Sequence, residues 1–277
     1  MKRIITPVLA LALPIIAIAQ DLPAPSPSST VKQRVGLTDI TVEYSRPSVK
    51  GRVIFGDLVP FDQVWRTGAN KATMIEFSGP VAIEDGKLEA GRYSLFTVPG
   101  KESWQIIFNK NTELWGAFDR KPEEDVLTVK VPTGKCERVE TFTIGFANVV
   151  DDKAAIQLSW ENTLVEVGVS ADATDQGVLN IKEALAKPDA DFRAYARAAQ
   201  FCLDRNLMTK EALEWAQKSV GMEKKYWNTF TLARAEAANG DKKSAMATAN
   251  EAITLAQKEN DEGAVKNYRA KLEEWSK

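Results

Sequence analysis

Five basic side chains lie close together in an irregular segment of the chain's first third. They are Arg46, Lys50, Arg52, Arg66 and Lys71. A guanidinium group binds a planar carboxylate or phosphate through two parallel hydrogen bonds, and a lysine supplies a compact positive charge. This spacing therefore predicts a site for an anionic ligand.

The same segment also contains large aromatic side chains and an amide. Phe55, Phe61 and Trp65 are interleaved with the basic residues, and Asn70 follows them. A concave surface with such groups suits an acidic sugar, a peptide carboxylate or a glycan. The residues predicted to bind this small anionic or glycan ligand are Arg46, Arg52, Trp65, Arg66, Asn70 and Lys71.

A second interpretation of this segment is structural. In it, Arg46 and Arg66 hold the loop by donating hydrogen bonds to backbone carbonyls, and Trp65 fills the core. The two interpretations differ in whether the arginines face an open hollow or the protein's own main chain.

The chain contains no histidine. This excludes Ser-His and Cys-His nucleophile pairs and any imidazole metal ligand. An acidic cluster, Asp119, Glu123, Glu124 and Asp125, has oxygen ligands of the type calcium prefers, but a solvated turn is the favoured interpretation. The sequence therefore predicts no metal and no cofactor, and a non-enzymatic binding or interaction module.

The alternative function is enzymatic. A hydrolase or lyase acting on cell-envelope material would use carboxylates or Tyr93, with arginine stabilising negative charge. Glu43 and Glu76 lie on predicted strands and are the carboxylates considered for this role.

The segment 1–19 has the pattern of a secretory signal peptide. Lys2 and Arg3 precede an apolar run, and Ala17-Ile18-Ala19 forms a cleavage site before Gln20. The chain is therefore expected to be exported to the periplasm or beyond, without a membrane span. Residues 20–30, which are rich in proline and serine, are expected to form an extended linker.

Residues 31–170 have the pattern of half-buried strands. Apolar and polar residues alternate in TDITVEY, RYSLFTV, SWQIIFN, TFTIGFA and AIQLSW, and glycine- and proline-containing turns separate most of them. The pair Glu161-Asn162 predicts a tight hairpin. This pattern predicts an antiparallel β-sandwich or jelly-roll-like domain.

Residues 178–277 are alanine-rich and helical in period. Ala212 and Ala216 match Ala245 and Ala249 at one constant offset. This offset is close to the period of about 34 residues that is typical of tetratricopeptide-type helical hairpins, and Asn239-Gly240-Asp241 is the predicted turn within one hairpin. A helical bundle without repeat geometry is the alternative. As part of the binding-module interpretation, the helices are expected to contact a protein partner. The whole chain is thus predicted to be an α+β multidomain protein.

The β-rich region resembles a known family. YSRPSVKGRVIFGDLVPFDQVWRTGAN is followed in order by KATMIEFS, AGRYSLFTVPG, SWQIIFNKN and WGAF, and the resemblance covers about residues 31–169. It is similar to the domain of unknown function 2911, a family of secreted proteins found mainly in Gram-negative bacteria. The resemblance implies export and, in some members, a helical repeat tail. It implies no activity, substrate or cofactor.

Charge and cysteine content add two further constraints. The chain has 36 basic and 38 acidic residues, a net charge of −2, and removal of Lys2 and Arg3 would make it −4. An acidic exported chain is not expected to bind nucleic acid. Cys136 and Cys202 fall in different predicted domains, which favours two buried thiols over a disulfide.

Overall fold

The computed structural model describes residues 22–276, so the signal peptide predicted over residues 1–19 lies outside the described residues. The chain divides into two compact units, the first ending at Ala171 and the second beginning at Asp172. The first unit is built of antiparallel strands and the second of helices. The predicted α+β order of the two domains is confirmed. Between residues 22 and 276, no helix has the length and apolar character that crossing a membrane requires.

The described part of the first unit contains nine strands: β1 (Ser28–Val35), β2 (Thr38–Ser45), β3 (Thr73–Phe77), β4 (Val81–Ile83), β5 (Gly86–Leu88), β6 (Gly91–Val98), β7 (Ser103–Asn109), β8 (Asp125–Val150) and β9 (Lys153–Ser170). They form one antiparallel sheet in the order β1-β2-β3-β6-β7-β8-β9-β4-β5. The first part of the long strand β8 pairs with β7, and the rest pairs with β9. The β4–β5 hairpin therefore lies beside β9, away from its sequence neighbours β3 and β6.

The sheet encloses one main core. The inward side chains of β2, β3 and β6 share a hydrophobic cluster with those of β8 and β9. The hydroxyl of Tyr44 in β2 donates to the carbonyl of Ile144 in β8 at 3.2 Å and accepts from its amide at 2.9 Å. The sheet thus folds over so that β2 lies against β8 across apolar side chains, and strands such as β2 and β9 alternate buried and exposed positions.

Two features of the strands correct the sequence-based predictions. The linker predicted to extend to residue 30 ends earlier, because Ser28, Ser29 and Thr30 pair with β2. The hairpin predicted at Glu161-Asn162 does not form. β9 runs through both residues, and Glu161 has a φ of 53° where the register of β8 and β9 shifts opposite Val139. The polar pair marks a bulge within a strand.

The second unit contains six helices in its described part: α1 (Thr174–Leu185), α2 (Phe192–Asp204), α3 (Thr209–Met222), α4 (Tyr226–Ala238), α5 (Lys242–Lys258) and α6 (Glu262–Ser276). The helical unit therefore begins before the predicted boundary at residue 178. The Asp191 side chain caps α2 by accepting from the amides of Arg193 and Ala194, and Asp241 caps α5 by accepting from the amide of Ser244.

The helices repeat at the predicted spacing. α2 starts at Phe192 and α4 at Tyr226, while α3 starts at Thr209 and α5 at Lys242. Both pairs of starts are therefore separated by about 34 residues, one repeat length of a helical hairpin array. The predicted turn at residues 239–241 lies between α4 and α5, while the likeness to tetratricopeptide repeats stays a prediction. Small side chains permit close helix packing, and the four aligned alanines are completely buried: Ala212, Ala216, Ala245 and Ala249.

Glu236 in α4 has a buried carboxylate oxygen, Oε2, without a hydrogen-bond partner among the described residues. Burial raises the pKa of Glu236 above its usual 4.5, the charge of Asp241 adds to the rise, and the Thr248 hydroxyl opposes it. Because this pKa is higher in the folded than in the unfolded chain, ionisation of Glu236 lowers the free energy of unfolding as the pH rises towards the folded-state pKa. Below about pH 4.5 the side chain is protonated in both states, and the cost disappears.

We therefore predict that Glu236→Gln raises the free energy of unfolding at pH 7 by up to about 1 kcal/mol, since it removes a poorly solvated charge. The gain should shrink as the pH falls towards 4.5. Denaturant unfolding at pH 7 and at pH 4.5, followed by the circular dichroism signal of the helices, measures the change in the free energy of unfolding. Glu214→Gln, at an exposed position of α3, is the matched control. A gain that grows on acidification would contradict the prediction.

Candidate functional site

Arg46 follows β2 and is partly buried. Its Nε donates to the carbonyl of Phe142 at 3.0 Å, and a terminal nitrogen donates to the Thr143 hydroxyl at 2.7 Å. Its backbone amide donates to the carbonyl of Pro27 at 2.9 Å. Arg46 therefore links β2 to β8 and to the N-terminal segment, so its prediction as a ligand residue is corrected.

Arg52 and Trp65 also act within the protein. Arg52 donates from Nε to the carbonyl of Val49 at 3.0 Å and from a terminal nitrogen to that of Ser48 at 2.5 Å. Trp65 is 8% exposed, and its ring stacks on Trp160 at 5.9 Å. Its indole nitrogen donates to the carbonyl of Gly68 at 3.0 Å. Trp65 is therefore a core residue, which corrects its prediction as a ligand residue, while Arg52 is exposed and holds its own turn with two of its donors.

Asn70 and Lys71 lie at the end of the same loop, where their side chains reach the surface. The Asn70 amide donates to the carbonyl of Ser26 at 3.3 Å and to the Ser45 hydroxyl at 3.2 Å. Asn70 thus holds the N-terminal segment against β2. Lys71 has no ion-pair partner among residues 22–276, so its charge is available to a ligand.

Arg66 differs from the other two arginines. Its Nε is buried and has no hydrogen-bond acceptor in the described chain. Trp65 is in extended backbone, since it forms a bridge with Thr97 of β6. Side chains of extended backbone alternate, so Arg66 shares the face of Val64, away from the core that holds Trp65. Of the six predicted residues, only Arg66 and Lys71 have neither an internal acceptor nor a core position in the part of the chain that the structure describes.

A strained turn fixes the position of Arg66. Thr67 is fully buried with a φ of 56°, a conformation that costs a β-branched residue about 1–3 kcal/mol. Its hydroxyl lies 3.1 Å from that of Thr97, and its carbonyl accepts from the Thr73 hydroxyl at 2.6 Å. These buried hydrogen bonds maintain the turn, which lies between the core residue Trp65 and the exposed residues Asn70 and Lys71.

A second loop, residues 110–121, presents two large apolar side chains to solvent. Trp115 is 65% exposed and Phe118 is 97% exposed. Between β7 and β8, Leu114 is buried in a small cluster with Ala72, Phe96 and Ile107, against which Val64 and Ala117 also pack. The aromatic side chains therefore extend from a loop that is itself anchored on the outer face of β6 and β7.

Polar contacts hold both ends of this loop. The Asn109 amide donates to the carbonyl of Lys121 at 3.3 Å and to the Asp125 carboxylate at 2.8 Å. Arg120 forms a largely buried two-pronged ion pair with the same carboxylate. At the start of the loop, the Ser94 hydroxyl donates to the carbonyl of Asn111 at 2.8 Å. Trp115 and Phe118 are thus carried by a fixed backbone.

The two loops meet at one hydrogen bond. The amide of Ala72 donates to the carbonyl of Leu114 at 3.1 Å. Lys71 precedes Ala72 in the chain and Trp115 follows Leu114, so Lys71 and Trp115 lie on adjoining segments. Val64, on the face of Arg66, packs against the same cluster as Leu114. The segments that carry Arg66, Lys71, Trp115 and Phe118 therefore adjoin in the β unit, and we call these four residues the aromatic–cationic surface.

The sequence contains a signal for the two aromatic residues, which were not among the predicted ligand residues. Trp115 and Phe118 occur in WGAF, between two strands, in a stretch with no period of two. This signal marks the two rings as candidates for the surface, but it is not sufficient, because Trp65 also lies in a segment without a strand pattern and fills the core.

The carboxylates considered for catalysis are bound to a cation. Arg92 bridges Glu43 at 3.8 Å and Glu76 at 3.6 Å on the exposed face of β2, β3 and β6. The Tyr93 hydroxyl donates to the carbonyl of Glu89 at 2.9 Å, and burial together with the Glu89 charge raises its pKa. Tyr93 is therefore poorly suited to act as a base.

Two of the four carboxylates in the acidic cluster are also paired. Asp125 binds Arg120, and Glu124 accepts from the Asn111 amide at 3.4 Å. Within residues 22–276, no three acidic or cysteine side chains lie close enough together to hold a metal ion. Cys136 and Cys202 are free thiols, and burial raises the pKa of both.

Comparison with protein families identifies the β unit. A family model described as a protein of unknown function (DUF2911) matches residues 26–169, just over half of the chain. The chain belongs to this family. The DUF2911 region begins just before β1, ends in β9 and contains the whole aromatic–cationic surface. No curated protein and no solved structure matches the chain. The family description names no activity, so function has to be argued from the surface itself.

We predict that Arg46→Met destabilises the β unit by about 2 kcal/mol, because a buried carbonyl and a hydroxyl lose a charged donor. Arg52→Met should cost less than about 1 kcal/mol, since Arg52 is exposed and the Val49 carbonyl keeps its hydrogen bond from the backbone amide of residue 52. Denaturant unfolding followed by tryptophan fluorescence compares the two. Equal effects of the two variants would show that Arg46 does not hold β2 against β8.

Proposed function

We propose that the DUF2911 unit is a non-enzymatic binding module that holds an acidic glycan on its aromatic–cationic surface. The observation that carries this proposal is the exposure of Trp115 and Phe118 on a loop fixed at both ends. Exposed apolar rings on fixed backbone are unusual unless a partner covers them.

The aromatic part of the surface supplies affinity. Covering one large apolar side chain contributes about 1.5–3 kcal/mol. Because Asn109, Arg120 and Leu114 already fix the loop, little backbone ordering opposes binding. Pyranose rings expose faces of C–H groups that pack on such flat rings.

The cationic part supplies selectivity for acidic rings. Lys71 is exposed without an ion pair in the described chain, and Arg66 has a buried Nε without an acceptor there. A sugar carboxylate at the terminal nitrogens of Arg66 would offset a charge that the protein leaves uncompensated. An extended glycan fits better than a small compact ligand, because the four residues occupy an open face.

Export is part of the proposal. The signal-peptide pattern of residues 1–19 would deliver the protein to the periplasm or to the exterior, where acidic glycans of the cell envelope occur. The mature chain would lack Lys2 and Arg3 and would be more acidic than the full chain, so binding of an anion depends on local positive charge.

The export proposal predicts that the chain recovered from the periplasm of a Gram-negative host begins at Gln20, because cleavage follows Ala17-Ile18-Ala19. Intact-mass measurement identifies the first residue. Replacing Ala17 and Ala19 with bulky residues should abolish cleavage. Recovery of a chain that starts at Met1 in the soluble fraction would contradict export by this route.

The glycan proposal is tested by calorimetric titration of the full mature chain with trigalacturonic acid and with its methyl ester. The acid should bind at least about tenfold more tightly than the neutral ester, since the ester cannot pair with Lys71 or Arg66. Trp115→Ala and Phe118→Ala should each weaken binding by about tenfold or more. Lys71→Ala should weaken it by a few-fold and reduce its salt dependence.

Matched controls use exposed residues away from this surface. Val150→Ala removes an exposed apolar side chain and Lys87→Ala an exposed charge. Neither should change the affinity. Equal affinity for acid and ester would overturn the acidic-glycan assignment, and full affinity in both aromatic variants would overturn the site.

A further inference from the structure

A separate hollow lies within the helical unit, at the ends of several helices. It has a volume of about 270 Å³, slightly below the range of roughly 300–1,000 Å³ of small-molecule pockets. Leu203 of α2, Ala237 of α4 and Trp275 of α6 supply its apolar lining. The hollow therefore accommodates a group about the size of one amino-acid residue.

The Trp275 side of the hollow is held in place by ring stacking. Trp275 lies 6.1 Å from Phe230 with an 18° angle between the rings, and Phe230 stacks on Tyr268 at 3.7 Å. These contacts fix α6 against α4. Leu203 is largely buried in the alanine-rich core of α2, α3 and α4. The apolar lining is thus preformed.

Positive charge surrounds this apolar lining. Arg234, Lys242 and Lys271 all line the hollow, and no acidic side chain of the described residues does. Two carboxylates lie nearby but are paired: Asp204 with Arg234 at 2.6 Å and Glu274 with Lys271 at 2.7 Å. In residues 22–276, Lys242 has no ion-pair partner. The hollow therefore has one uncompensated cation beside two others that retain free donors.

We infer that this hollow binds the C-terminal carboxylate of a protein partner, with the partner's last side chain on the apolar lining. A chain terminus places a carboxylate and one aliphatic side chain on the same carbon, and unlike a free amino acid it has no ammonium group there for the three lining cations to repel. Lys242 and Arg234 pair with the carboxylate, and Leu203, Ala237 and Trp275 contact the side chain. This inference does not depend on the glycan site of the β unit.

The test is titration of the full mature chain with acetyl-Ala-Ala-Leu, with its C-terminal amide, and with isovalerate, monitored by nuclear magnetic resonance. The free-acid peptide should bind at least about tenfold more tightly than the amide, because the amide cannot form the charged pair. It should also bind more tightly than isovalerate, which carries the carboxylate and aliphatic group without a peptide chain.

Two neighbouring lysines provide a matched pair of variants. Lys242→Glu should weaken binding of the free-acid peptide by at least about tenfold, since it replaces attraction with repulsion. Lys243→Glu makes the same change of charge at an exposed position that does not line the hollow, and should change the affinity less than about twofold. Helical circular dichroism establishes that both variants are folded.

Four results would overturn the inference. One is equal binding of acid and amide, and another is absence of binding by the acid at millimolar concentration. The third is equal effects of the two lysine variants, which would show attraction by overall charge. Binding of isovalerate as tightly as the peptide would identify a small carboxylic acid as the ligand and exclude a protein terminus.

Discussion

The position of Trp65 determines the arrangement of the β unit around its long irregular segment. Its ring stacks on Trp160 and meets Phe142 edge-on at 5.1 Å, while its indole nitrogen binds the turn that follows it. This side chain ties the connection between β2 and β3 to β8 and β9. Because extended backbone alternates its side chains, burial of Trp65 directs Arg66 outwards. The strained turn at Thr67 is stable only because these contacts outweigh its cost.

The regular elements could be predicted from the sequence, because burial imposes a period on them. Strands such as β2 and β9 alternate, and α3 and α5 carry alanines at matching positions. Interruptions within strands were harder to predict. Glu161-Asn162 has the composition of a hairpin turn. A residue with left-handed backbone also occurs in a β-bulge, so only the pairing of β8 with β9 distinguishes a turn from a bulge here.

The site was predicted in part, for a physical reason. The sequence does not distinguish an arginine that binds a ligand from one that binds a carbonyl of the protein. Arg46 and Arg52 both donate to backbone carbonyls of the chain itself. Among the described residues, Arg66 and Lys71 do not. Trp115 and Phe118 belong to a loop that meets Lys71 only through the fold. Their proximity depends on the hydrogen bond between Ala72 and Leu114, which has no local sequence pattern.

The anchored loop of residues 110–121 also bears on kinetics. A flexible loop must search for its bound shape, and that search slows association or makes it depend on a rare open state. In this protein the Arg120–Asp125 ion pair and the burial of Leu114 hold the loop in one conformation before a ligand arrives. Capture by Trp115 and Phe118 would therefore proceed at a speed set by diffusion and orientation, and the lifetime of a complex would depend on how quickly water returns to the two rings.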